Sequence, residues 1–355
     1  MTIPRGPENV TPAWLGSVLG TDVSRVEVTP IGTGQTGATY RVRASYTDET
    51  AELPTSFAVK LSAQDDAVRE RVALGYRSEV EFYSHIADRM RIPVPQSYHT
   101  EISDDGADVV LLLADMAPAV QGDQIAGCST AEAGLAVEAL AGLHGPSWCD
   151  PQWMDLAAIV MPKPGDDEAA KGLGDISRMA GDIVIDRLGA KIAAEDQETL
   201  VAAMSSVTAW LTAEPERYAL MHGDYRLDNM LFDPDRTRIT IVDWQTVGIG
   251  SPGRDLAYFT GTSLEPSARS EIEGDLVERY HRALLGFDVT GYDLDTCWSD
   301  YRLGMVQVPL LVALGTAFAS TTERGDDMMM AMLSRGCRAI RELGTLELIS
   351  SYSEN

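Results

Sequence analysis

Met221-His222-Gly223-Asp224-Tyr225-Arg226-Leu227-Asp228-Asn229 is the stretch on which the reading of this chain turns. It fits the spacing H-x-D-x-x-x-x-N. An aspartate in that position can accept the proton of an attacking hydroxyl, and the asparagine five residues on can offer an oxygen to Mg²⁺. Fourteen residues after Asn229 comes Ile241-Val242-Asp243-Trp244, in which a carboxylate ends a β-branched run. Such a carboxylate suits a metal bridging the β and γ oxygens of a nucleoside triphosphate. Carboxylate and carboxamide oxygens are hard ligands, which suit Mg²⁺ and not zinc. Taken singly, His222-Gly223-Asp224 reads as a turn and Asp243 as a strand-end cap. The two together, in this order and behind the features described next, point to phosphoryl transfer.

Working toward the N-terminus, Gly32-Thr33-Gly34-Gln35-Thr36-Gly37 is a G-x-G-x-x-G. A dinucleotide loop of that spacing opens a helix. Here Ala38-Thr39-Tyr40-Arg41-Val42-Arg43 follows, which reads as a strand. Strand, glycines, strand is a hairpin laid over a triphosphate, with Gly32, Gly34 and Gly37 as the close-approach positions. The chain has four lysines, Lys60, Lys163, Lys171 and Lys191. Lys60 sits in the apolar run Phe57-Ala58-Val59-Lys60-Leu61, where an unpaired ammonium is costly. A strand lysine behind a glycine hairpin contacts the α and β phosphates and is oriented by a helix glutamate. Glu79 and Glu81 both lie on the next helix; two residues apart, they cannot share a face, and Glu79 is the choice.

The remaining pattern sets the fold class. Thr11-Pro12 starts a helix, with threonine as N-cap and proline at N1. Strands are expected near 26–29, 38–46, 56–61 and 109–113, with a helix over 67–90 and a connector over 92–99. Past Met116 the texture turns helical: 131–144, 175–188 and 196–212 read as helices, 162–174 as a loop, and 221–242 as a short β-rich island. The stretch from Arg254 to Leu348 reads as mostly helical. The expected fold is therefore α+β, two-lobed, with a small β-rich N-lobe (1–117) and a large helical C-lobe (118–355).

Composition limits the partners. A formal net charge of −26 opposes nucleic acid and anionic membranes, and neither is expected as a partner. Cys128, Cys149, Cys297 and Cys337 form no C-x-x-C motif and read as free thiols of a reducing cytoplasm. MTIPRGPENV lacks the apolar stretch of a signal peptide, and Val308 to Ala319 is too short to span a bilayer. The oligomeric state is not legible.

These motifs, with Pro252-Gly253-Arg254-Asp255-Leu256-Ala257 in order behind them, resemble the aminoglycoside phosphotransferase and choline kinase superfamily. HGDYRLDNMLF and VDWQTVGIGSPGRDLAYF look most like the kinase domain fused to some acyl-CoA dehydrogenases and like ecdysteroid-kinase-like proteins. The resemblance implies a protein-kinase-like fold and an ATP- and Mg²⁺-dependent transfer to a hydroxyl of a small molecule. The acceptor would be aminoglycoside-like, an amino alcohol, or a hydroxyacyl compound or hydroxy acid. Asp224 would be the base, with Lys60 and Glu79 beside it, and Asn229 and Asp243 would hold the metal. His222 and Asp255 would support the loop, and the backbone of Ala114 and Met116 would meet the adenine. Trp298, Tyr301 and Arg302, with Asp300 and Gln307, are the candidate acceptor wall. The rival is a nucleotide-binding pseudokinase acting as a sensor or scaffold. A protein kinase is disfavoured: Gly223 replaces the arginine of H-R-D, and eleven residues between Asp243 and Asp255 leave no room for a peptide platform.

Overall fold

The computed structural model describes residues 2–31, 37–48, 50, 52–157, 161–213, 216–318 and 322–353. Gly32 and Gly34 lie outside the described residues; Gly37 opens a strand.

The first helix, α1 (Pro12–Leu19), begins where Thr11 Oγ1 accepts the Trp14 N–H at 3.2 Å and ends at Gly20 in the left-handed region, φ 68°. Five strands follow: β1 (Val23–Ile31), β2 (Gly37–Tyr46), β3 (Ser56–Ser62), β4 (Ser97–Ile102) and β5 (Val109–Ala114). They form one antiparallel sheet in the order β1-β2-β3-β5-β4. Side chains alternate across a strand, and that alternation sorts the residues here. Phe57, Val59, Leu61, Val110 and Leu112 point to one face, against Val10, Trp14 and Leu15. Leu111 and Leu113 point to the other, toward the main core. Lys60, flanked by Val59 and Leu61, must therefore face the main body of the protein.

Helix α2 (Asp66–Glu81) is capped by Asp65, whose carboxylate accepts the Val68 N–H at 3.0 Å. The helix expected to run to residue 90 widens at Phe82–Ile86 into a π-turn and ends in a 3₁₀ turn. The connector expected over 92–99 gives way to β4 from Ser97. Two prolines mask the start of that strand, but Tyr98, Thr100 and Ile102 are strand formers.

Beyond Ala114 the chain is mainly helical. In order come β6 (Val120–Gln121), α3 (Thr130–Ser147), α4 (Asp167–Leu188), α5 (Ala194–Thr212), β7 (Ala219–Met221), β8 (Met230–Phe232), β9 (Ile239–Ile241) and β10 (Gly248–Gly250). There follow α6 (Gly253–Ser263), α7 (Pro266–Leu285), α8 (Leu294–Gly304), α9 (Gln307–Phe318), α10 (Glu323–Leu343) and α11 (Thr345–Ser353). The segment expected as a loop over 162–174 already enters α4 at Asp167. Asp166 caps it through the Ala169 N–H at 3.0 Å, and Asp167 and Glu168 suit the positive end of the helix. The run Leu294–Phe318 is long and apolar enough to cross a membrane, but 67% of its apolar window is buried inside the protein.

Two small antiparallel sheets, β6-β8-β9 and β7-β10, carry the loop from His222 to Asn229 and the segment that leads to Asp243. β8 pairs with β9, and the Val242 N–H donates to the Asn229 carbonyl at 3.0 Å, so Asn229 and Asp243 are brought side by side. β7 pairs with β10, and the loop after β7 carries His222 to Asn229 against the start of α6.

Candidate active site

Lys60 reaches across from β3 to two carboxylates. Its Nζ lies 2.7 Å from Glu79 Oε2 and 3.0 Å from Asp243 Oδ1. Burial works against the ammonium charge, but Asp243 and Glu79 outweigh it and hold the lysine pKa above its ordinary value. Burial likewise opposes the Asp243 charge, and Lys60 outweighs it, so that carboxyl titrates below its ordinary range. The choice between Glu79 and Glu81 is decided by geometry: Glu79 is 2% exposed and holds the ion pair. Its oxygens also accept the Trp244 N–H at 3.3 Å and the Gln245 Nε2 at 3.4 Å. The π-turn sets Phe82 flat on Trp244, with centroids 3.6 Å apart and planes within 5°. Asp243 itself adopts φ 66°, a left-handed conformation that aspartate tolerates and that directs its carboxylate back toward Lys60.

The loop behind Asp224 is held through its backbone. Asp255, at the start of α6 and fully buried, accepts the His222 N–H at 2.7 Å and the Gly223 N–H at 3.0 Å. His222 fixes Val242 from its Nε2, at 3.1 Å from the carbonyl, and its Nδ1 accepts the Asp224 N–H at 3.3 Å. Gly223 has φ 83°, and a Cβ there would lie 2.3 Å from the Thr246 carbonyl, so no other residue fits. Asp255→Ala would strand two buried N–H groups. We expect it to lower the unfolding free energy by roughly 3–5 kcal/mol, read by urea titration; unchanged stability would contradict this account.

Asp224 and Asn229 are tied together: Asn229 Nδ2 donates to the Asp224 carbonyl at 2.8 Å and to Oδ2 at 3.0 Å. That fixes the Asn229 amide with its oxygen turned the other way. Among the described residues no group of three or more His, Cys, Asp or Glu is gathered for a metal. Mg²⁺ does not need one, because it binds through one or two protein oxygens plus phosphate and water. The pair Asn229 and Asp243 fits that requirement.

In the segment expected to meet the adenine, the Ala114 N–H is spent on the Gln96 carbonyl at 2.8 Å, and the Met116 carbonyl accepts from Ala119 at 2.8 Å. A carbonyl keeps a second lone pair after accepting one hydrogen bond, so the Met116 carbonyl can still meet a base. Asp115, between them, is turned away onto Arg41 Nε at 2.7 Å and Ser56 Oγ at 2.5 Å.

The expected acceptor wall, on α8 and at the start of α9, is corrected by the structure. Tyr301 is fully buried, its hydroxyl donating to Glu273 at 2.7 Å and accepting from Thr260 at 3.1 Å. Arg302 Nε donates to the Leu343 carbonyl at 2.7 Å, Asp300 pairs with Arg217, and Trp298 packs on Tyr301. These side chains join α8 to the core behind α6. Gln307 alone of the five touches the loop, donating to the Gly223 carbonyl at 3.1 Å. Besides Asn229, the side chains that meet the Asp224 carboxylate are Arg226 and Tyr258. Both lie inside quoted motifs, and Tyr258 stands one helical turn after Asp255, a spacing that could have pointed to it.

The model of the phosphotransferase enzyme family matches residues 27–294. Acyl-CoA dehydrogenase family member 11 of Gallus gallus is 35% identical over 75 residues, 20% of this chain and 10% of that protein. Family member 10 of Mus musculus is 36% identical over 78 residues, 21% of this chain and 7% of that protein. The chain thus matches a tenth or less of the length of these relatives. Among solved structures, the microcompartment-associated aminopropanol kinase superposes with a TM-score of 0.56 at 18% identity, over 95% of this chain and 98% of that one. Plasmodium vivax ethanolamine kinase gives 0.56 at 13% identity, over 90% and 85%. A putative aminoglycoside phosphotransferase from Ralstonia eutropha gives 0.55 at 15% identity, over 93% and 97%. These likenesses establish the two-lobed kinase-like fold, and the chain belongs to the phosphotransferase enzyme family.

Proposed function

We propose that this phosphotransferase moves the γ-phosphoryl group of ATP, with Mg²⁺, onto a hydroxyl of a small organic molecule. The observation that carries the reading is the joining of Lys60, Glu79 and Asp243 by ion pairs beside the loop of Asp224 and Asn229. In the proposed reaction the acceptor oxygen attacks phosphorus while Asp224 takes its proton. The bond from the γ phosphorus to the β–γ bridging oxygen breaks, and ADP leaves. Lys60 holds the α and β phosphates, and Glu79 keeps Lys60 aimed. Mg²⁺, bound by Asn229 and Asp243, would neutralise charge on the phosphate oxygens. Every one of these positions carries a chemically competent residue, which favours an enzyme over a pseudokinase.

The acceptor class follows the company the chain keeps. The superposable folds include kinases named for aminopropanol and ethanolamine, which supports an amino alcohol or an amino sugar. The matched stretch of the acyl-CoA dehydrogenase family members supports a hydroxyacyl compound or hydroxy acid. We place the enzyme in the cytoplasm, in keeping with four free thiols.

Mg·ATP is expected to raise the melting temperature and ATP with excess chelator to leave it unchanged. Saturation at a hundred times Kd adds about 2.7 kcal/mol of stability. The absence of any shift at saturating Mg·ATP would falsify the nucleotide site. Titrating GTP in parallel, then measuring ADP release over a panel of amino alcohols, aminoglycosides, sugars, hydroxy acids and hydroxyacyl-CoA, identifies donor and acceptor.

A further inference from the structure

Asp224 is more tightly held than proton transfer alone requires. The Tyr258 hydroxyl donates to its Oδ1 at 2.9 Å. Arg226 Nε lies 3.0 Å from both Oδ1 and Oδ2, and Asn229 Nδ2 lies 3.0 Å from Oδ2. An ionised carboxylate has roughly four lone-pair positions, and here all are engaged. Each donor is itself anchored. Tyr258 is 2% exposed on α6, and burial and the charge of Asp224 keep its phenol protonated, hence a donor. Arg226 is fixed at its far end by Asp228 Oδ2 at 3.1 Å and Met328 Sδ at 3.1 Å. Asp228 in turn accepts the Gln124 N–H at 3.1 Å.

We infer that Tyr258 and Arg226 form a clamp that sets the plane of the Asp224 carboxylate, making both positioning residues for phosphoryl transfer. The inference rests on the reading of Asp224 as the base. Asp255 and Tyr258 lie three apart on α6 and so share a face. The first holds the loop by its backbone, the second holds the side chain that the loop presents. Arg226 Nε is shared between two oxygens. An incoming hydroxyl can take over one share while the arginine keeps the other, so the carboxylate stays in plane as the substrate arrives.

Tyr258→Phe removes one oxygen atom. It is expected to lower kcat about 10- to 100-fold, the effect of one hydrogen bond to a charged group expressed as a rate. The KM of the acceptor, Mg·ATP affinity and melting temperature should change little. Arg226→Lys keeps the charge and loses the fork, and should lower kcat in the same way. Because Tyr258 acts through Asp224, adding Tyr258→Phe to Asp224→Asn should cost less than about twofold more. The clamp is wrong if either single variant keeps kcat within about twofold of the parent, or if Tyr258→Phe costs as much in the Asp224→Asn background. A raised acceptor KM at unchanged kcat overturns it too, by making Tyr258 a substrate contact. A parent protein that binds Mg·ATP but transfers phosphate to no acceptor sinks the proposed function, not the clamp. The crystal structure of Tyr258→Phe then decides: a rotated Asp224 carboxylate supports the clamp, and an unmoved one refutes it.

Discussion

Asp224→Asn is expected to bind Mg·ATP as tightly as the parent protein and to turn over more slowly by on the order of 10² to 10⁴, the worth of a positioned general base. The amide keeps the shape of the carboxylate and loses its basicity. Of the proposed metal ligands only Asn229 touches Asp224, and its Nδ2 also donates to the Asp224 backbone carbonyl at 2.8 Å, a bond that the substitution keeps. Asp243→Asn is expected to fail differently. Asp243 pairs with Lys60 at 3.0 Å and is proposed to bind Mg²⁺ directly; a neutral amide is a poorer ligand for a hard cation. Its affinity for Mg·ATP should fall along with turnover, and added Mg²⁺ should restore part of both. Calorimetric titration of Mg·ATP into each variant, beside steady-state rates, separates the two. If Asp224→Asn lost nucleotide affinity while Asp243→Asn kept affinity and rate, the roles would have to be exchanged.

Much of this site was legible in the sequence because its parts are local. His222 to Asn229 is a single loop, and its residue types and spacing survive without knowledge of what packs around them. The facing of Lys60 was equally local, because strand alternation puts it opposite Val59 and Leu61. Contacts across distance were harder. Glu79 and Glu81 look alike in sequence, and only the approach of α2 to β3, with Trp244 underneath, selects one. The α8 residues show the opposite failure. A tryptophan, a tyrosine and an arginine on a helix carry the same pattern whether they face a cleft or a buried polar network. Here Thr260 and Glu273 absorb the Tyr301 hydroxyl, the Leu343 carbonyl takes the Arg302 Nε, and Trp298 packs on Tyr301. The missed start of α4 has a plainer cause: two prolines and a glycine at 162–165 outweighed the capping signal of Asp166. Tyr258 went unread although its i,i+3 spacing from Asp255 places both on one face of α6; that the face meets the Asp224 side chain depends on how α6 packs on the loop.

Lys60→Met is the second large effect, expected to cut turnover by on the order of 10² to 10³, as the loss of a preorganised electrostatic contact does. Lys163→Met, Lys171→Met and Lys191→Met serve as controls. Lys171 and Lys191 are exposed, and Lys163 donates to the Met154 carbonyl far along the chain from the loop. The variant also has a stability signature that a mere catalytic lesion would lack. Without the ammonium, the buried Glu79 keeps, among the described residues, the Trp244 N–H and Gln245 as donors. Burial already pushes the Glu79 carboxyl upward, and losing Lys60 removes the main force opposing that. A carboxyl whose folded pKa lies above its unfolded value is stabilising when protonated. Its contribution is lost as pH rises through the window between the two. Lys60→Met should therefore be destabilised most at neutral pH and regain stability relative to the parent as the pH falls toward the ordinary carboxyl range. Thermal melts of both proteins from neutral to mildly acidic pH measure this directly. A stability deficit independent of pH, or equal turnover in all four lysine variants, would remove Lys60 from the phosphate site.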